Sequence, residues 1–147
     1  SGNDRWPLMV RSVKPDDRKY TAMNWPICPD GFYDTIMRCW RDYGKPIIVT
    51  ENGAAFDDTV SPDGRVADEE RTAFLKDHLA ALHRAISDGA EVRGYMVWSS
   101  FDNFEWALGY AKRFGLIYVD YENQKRIMKD SGKWYAETVK HNGFELD

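Results

Sequence analysis

Two short apolar runs limit what this chain can fold into. Pro46-Ile47-Ile48-Val49-Thr50 and Val92 to Trp98 are nearly continuous in apolar and β-branched residues. Runs of that kind are strands with both faces covered. Between them, Leu75, Leu79, Leu82 and Ile86 recur at helical spacing from about Asp68 to Ser87. Asp68 suits the cap of that helix, Glu69 and Glu70 suit its positive end, and Asp88-Gly89 stops it. Strand, helix, strand predicts two parallel strands joined by a helical crossover.

The flanks extend the pattern. Pro29 to Tyr43 carries Phe32, Ile36, Trp40 and Tyr43 on one helical face, with Gly44 as the stop. A third helix begins near Asp130 and ends at Gly143, and Leu116–Val119 is a short extended run. Residues 1–29 hold four prolines and no sustained period, which predicts an irregular loop leading into the first helix. Residues 54–67, with Pro62-Asp63-Gly64, read as a loop, and Asp57, Asp58 and Asp63 as a solvated turn. Two strands cannot close a barrel or complete an open sheet, so the expected fold is α/β and part of something larger.

Composition excludes some classes of partner. The net charge is −4 over 147 residues, which argues against nucleic acid and anionic membrane surfaces. No apolar stretch approaches the ~20 residues of a membrane span. Cys28 and Cys39 show no metal or redox spacing and read as free thiols. His78 and His83, five apart on one helix, point roughly 140° apart and cannot share a metal. No metal and no cofactor is expected. The unusual feature is aromatic: six Trp, eight Tyr and seven Phe, several of them in loops.

Those aromatics fall beside acids. The first strand ends in Thr50-Glu51-Asn52-Gly53, and the second opens into Trp98-Ser99-Ser100-Phe101-Asp102-Asn103-Phe104-Glu105-Trp106. A carboxylate at the carboxyl end of a buried strand is where barrel enzymes place their chemistry. An indole beside carboxylates suits a pyranose, whose C–H face stacks on the ring while its hydroxyls donate to charged acceptors. Taken alone, Glu51 also fits a solvated turn. By spacing, Trp98 and Trp106 fit a core as well as a pocket, and Phe114 is core or pocket wall. Asp102 is expected to fix the loop through backbone groups, and Lys112-Arg113 to form structural ion pairs.

These two motifs, followed by Tyr110-x-Lys112-Arg113-Phe114-Gly115-Leu116 and Val119-Asp120-Tyr121, resemble the family 1 glycoside hydrolases, the β-glucosidases and their relatives. The resemblance runs from about Met23 to Gly143, with several motifs in the right order. It implies a (β/α)₈ TIM barrel, of which residues 1–147 would be the C-terminal portion: the last two strand–helix units of a single catalytic domain. It implies Glu51 as catalytic nucleophile and Trp98 as the platform under the sugar. Glu105 and Trp106 would bind hydroxyls on the far side of the ring, and Phe114 would line the pocket. The implied activity is retaining hydrolysis of β-linked glucosides and related hexosides through a covalent intermediate on Glu51.

One part of the family pattern is missing. The acid/base glutamate of these enzymes lies in an Asn-Glu-Pro motif, and this sequence has none. The expected partners are therefore a β-glucoside or oligosaccharide and an N-terminal fragment of the same barrel, or a second copy of the chain. The other implied possibility is a catalytically incomplete sugar-binding or association module. The sequence leaves the compartment open and favours the cytoplasm over secretion.

Overall fold

The computed structural model describes Lys14 and residues 16–145. Most of the irregular loop expected over residues 1–29 lies outside the described residues. Its visible end, from Asp16 to Cys28, is a turn closed by an isolated bridge between Tyr20 and Pro26. The Ala22 amide donates to the Ala55 carbonyl and ties this turn to the rest of the fold.

Helix α1 spans Pro29–Tyr43. Pro29 occupies the first turn, where a missing N–H costs nothing. Gly44, in the left-handed region at φ 55°, turns its amide back onto the Trp40 carbonyl and ends the helix. Strand β1, Ile47–Asn52, runs two residues further than its apolar stretch, so Glu51 lies within the strand. Helix α2, Glu69–Ser87, crosses back, and strand β2, Val92–Val97, pairs with β1 in parallel. Ile48 sits opposite Gly94, and Asn52 opposite Val97. This is the strand–helix–strand unit that the two apolar runs require.

Two clusters hold the unit together. Ile36 of α1, Val49 of β1, and Leu82 and Ala85 of α2 bury against one another with Ala90. Ala54, Phe56, Phe74 and Leu75 form a second cluster, with Val97, Leu116 and Trp134 packed around it. Full burial of an aliphatic side chain contributes about 1.5–3 kcal/mol, so Leu75, which is wholly enclosed, is a principal contributor. Two stripe positions differ from expectation. Tyr43 and Ile86 lie at their helices' last turns and are exposed; both keep the direction of their stripe around the helix axis, but neither packs in the two core clusters. Buried Ala81, Ala85 and His78 take up the inner face of α2 instead.

After β2 comes a long loop containing the 3₁₀ turn Trp106–Leu108. Strand β3, Ile117–Val119, then pairs antiparallel with β4, Arg126–Met128. β4 was not legible in the sequence: three residues, two of them exposed, give no period. Helix α3 spans Asp130–His141 and is ended by Asn142 in the left-handed region, one residue before the expected Gly143. Asn tolerates this conformation better than other non-glycine residues. Among the described residues no helix is long and apolar enough to cross a membrane.

Candidate active site

The carboxyl ends of β1 and β2 lie side by side. The Trp98 amide donates to the Asn52 carbonyl at 3.0 Å, one step past the last strand pair. Gly53 is fixed by this approach. A Cβ there would fall 1.7 Å from the Trp98 carbonyl oxygen. Its φ is not in the left-handed region, so close backbone contact, and not turn geometry, requires a glycine there. The Trp98–Ser99 peptide is cis.

A cleft of ≈ 540 Å³ opens over these strand ends. It is lined by Glu51, Trp98, Glu105, Trp106 and Phe114, the five residues singled out in the sequence. Glu51 is exposed and Glu105 half-buried. Trp98 is 37% exposed and Trp106 82%. Phe114 is buried yet borders the cleft, so it is both core and wall. Among the described residues no hydrogen bond or ion pair engages either glutamate's carboxylate. Asn52 also lines the cleft and accepts a 2.8 Å hydrogen bond from the Tyr95 hydroxyl. Burial raises the Tyr95 phenol above its ordinary pKa, which keeps it a donor.

Trp25 is a lining residue the sequence did not single out. It is half exposed, and its ring centroid lies 6.1 Å from that of Phe114. It sits in a non-periodic turn, and its only signal was being an aromatic among turn-forming residues.

Beneath the cleft lies a buried ionic network. Arg71 donates to both oxygens of Asp58, at 2.9 and 2.8 Å, and also to Asp68 and the Arg113 carbonyl. The Lys129 ammonium donates to Asp58 at 2.6 Å and to Asp102 at 2.8 Å. Arg113 donates to Asp102 at 2.6 Å and to the Val119 carbonyl. Three carboxylates thus meet three cations. Burial opposes the Arg71 charge, but Asp58 and Asp68 outweigh it and raise its pKa. Burial, joined by the neighbouring Arg71, lowers that of Lys129. Among the described residues, Arg71 Nε is the one fully buried side-chain donor without a partner.

The network corrects two expectations. Asp58 is buried in it, although residues 54–67 read as a solvated turn; Asp63 does stay at the surface and bonds Ser61. Asp68 precedes α2 but makes no side-chain cap. Its carboxylate turns inward, to Arg71 and to the amide and hydroxyl of Ser131. The expectations for Asp102 and Arg113 agree with the geometry. Asp102 accepts from the Gly115 amide at 2.9 Å and pairs with Arg113, which also stacks on Tyr118. His78 is a packing residue, stacked on Phe74 with Nδ1 2.8 Å from the Phe74 carbonyl. Among the described residues no group of His, Cys, Asp and Glu could hold a metal ion.

Glu51, on a parallel strand, thus shares one cleft with Glu105 and two indoles on an α/β scaffold. The chain belongs to glycosyl hydrolase family 1, whose family model matches residues 6–144. It is 53% identical over 140 residues to β-glucosidase A of Thermotoga maritima, covering 95% of this chain and 31% of that protein. It is 50% identical over 119 residues to a 6-phospho-β-galactosidase of Streptococcus equi subsp. zooepidemicus, covering 80% of this chain and 25% of that protein. The family 1 β-glucosidase of T. maritima, solved in complex with isofagomine lactam, superposes with a TM-score of 0.91 at 51% identity, covering 95% of this chain and 32% of that one. This chain therefore spans about a quarter to a third of the length of these relatives.

Proposed function

We propose that this chain forms the last two strand–helix units of a (β/α)₈ retaining β-glycosidase that hydrolyses β-linked glucosides and related hexosides. The observation that carries this reading is that Glu51, at the end of β1, opens onto the same cleft as Trp98, Glu105, Trp106 and Phe114. In the reaction a Glu51 oxygen bonds to the anomeric carbon as the bond to the leaving oxygen breaks. That oxygen takes a proton from a general acid about 5–5.5 Å from Glu51, contributed by the other part of the barrel. Water then displaces Glu51 and gives up its proton to the same group. A strand end holds the nucleophile in a fixed line of attack. Trp98 stacks under the ring. Glu105, an acceptor only, binds neighbouring hydroxyls and repels a phosphate, which favours plain hexosides over phosphorylated ones.

The second reading is a sugar-binding or association module without chemistry of its own, and the lack of an Asn-Glu-Pro motif favours it. One experiment separates the two. Residues 6–144 replace the matching stretch of the T. maritima β-glucosidase, and the hybrid is treated with an activated 2-deoxy-2-fluoro-β-glucoside. Fluorine destabilises the oxocarbenium-like transition states, so a glycosyl ester accumulates on the nucleophile. Peptide mapping should place the label on Glu51, and Glu51→Gln should abolish both label and turnover. A label on another residue, or full turnover in Glu51→Gln, sinks the proposal. The 147-residue chain alone should not turn over an aryl β-glucoside, and if it does the catalytic pair is complete within it.

A further inference from the structure

Lys129 lies at the start of α3, in neither of the two loops that frame the cleft, yet it touches both. It is fully buried. Its ammonium bridges Asp58, in the loop that follows Glu51, and Asp102, which lies between Trp98 and Glu105. Each aspartate is anchored further. Asp58 is held in bidentate fashion by Arg71 of α2. Asp102 receives the amide of Gly115, next to Phe114, and the guanidinium of Arg113. The backbone follows the same tie: the Phe56 amide and Arg71 both donate to the Arg113 carbonyl, and the Ser99 amide donates to that of Phe114. At position 115 a Cβ would fall 2.1 Å from the Asp102 nitrogen, so that contact leaves no slack.

We propose that Lys129 is a positioning residue for the cleft: by bridging Asp58 and Asp102 it locks the loop after β1 to the loop after β2 and sets where Trp98, Glu105 and Trp106 stand relative to Glu51. Among the described residues, none of its side-chain hydrogen bonds goes to a residue that lines the cleft. The role of this arrangement in sugar hydrolysis rests on the function proposed above; the bridging geometry does not.

The test separates the bridge from charge balance. Lys129→Met leaves an uncompensated buried carboxylate and threatens folding. The double variant Lys129→Met/Asp58→Asn removes one charge of each sign, so two carboxylates still meet two guanidinium groups. The bridge is lost together with one of the two Arg71–Asp58 hydrogen bonds, and Asp58→Asn alone, which keeps Lys129 on Asp102, measures that second loss. The full chain is labelled with 5-fluorotryptophan, and each ¹⁹F signal is assigned by single Trp→Phe replacement. Trp98 and Trp106 report the cleft; Trp40 on α1, packed in the first core cluster, reports the fold. In the double variant the Trp98 and Trp106 signals should move by more than a linewidth while Trp40 stays. Unmoved cleft signals, or a Trp40 signal that moves with them, overturns the proposal. In the hybrid enzyme the same double variant should lower kcat roughly tenfold or more, since small misplacement of reacting groups is costly, and an unchanged kcat counts against it. An inactive parent hybrid would refute the functional reading, while the ¹⁹F signals still decide the bridge.

Discussion

Position 53 tolerates no side chain because the end of β2 presses its carbonyl against it, and that contact is what brings Glu51 and Trp98 to one cleft. At the same scale, His78 carries a measurable consequence. Burial between Phe74 and Phe32 lowers its pKa below the ordinary value, despite a hydrogen bond to the Phe74 carbonyl and the charge of Asp77. The unfolded imidazole titrates near 6.5. Between that value and the lower folded one, the unfolded chain binds more protons than the folded chain. This contribution is therefore fully present above about pH 6.5 and is lost as pH falls toward the folded value. Urea unfolding measured from pH 8 to pH 5 should show a decline that is shallower in His78→Gln. Identical slopes in the two proteins would assign the decline to other groups.

Among the elements, α2 shows how a sequence signal can be right in place and wrong in cause. Asp68 starts the helix, but its carboxylate is spent on Arg71 and Ser131 and not on the helix amides. A lost cap costs typically about 1 kcal/mol. Removing one partner from a buried ionic network costs about 3–5 kcal/mol, because it leaves one buried charge uncompensated, here a cation, since Arg71 would keep only Asp58. Asp68→Ala should therefore destabilise by the larger amount in urea unfolding. A loss near 1 kcal/mol would restore the capping role. The network is also shielded from solvent, and salt screens buried pairs much less than exposed ones. The loss in Asp68→Ala should accordingly change little between low and moderate salt.

For the whole molecule, the decisive feature is the face that the two-stranded sheet leaves uncovered. Ile48 and Met96 are each more than half exposed, and Phe101, Phe104 and Trp106 are exposed in the adjoining loop. Among the described residues β1 and β2 pair only with each other, so each has an edge with open hydrogen-bonding groups. Open edges and large apolar patches drive association. Sedimentation at micromolar concentration should find the chain self-associated or bound to a complementary barrel piece. Replacing Ile48 and Met96 together by Lys should shift it toward monomer. A compact monomer in the parent chain would mean that this face is covered from within.

The sequence by itself determined the three helices and the two parallel strands, and through the family resemblance it pointed to five of the residues that line the cleft. Each of these rests on a local signal: an apolar period, a glycine stop, or a motif in which acid and aromatic stand a few residues apart. It also carried the resemblance that the family match bears out. Only the tertiary structure decided the rest. Asp58, Asp68, Arg71, Asp102, Arg113 and Lys129 are spread over some seventy residues, and no period links them. Their charges look like surface until folding removes the water, and then each must find an opposite partner because an unpaired buried charge is too costly. Trp25 joined the cleft, and Gly53 and Gly115 became obligatory, for a related reason. Their surroundings come from distant segments, and strands and loops far apart in the chain meet only when the core has closed.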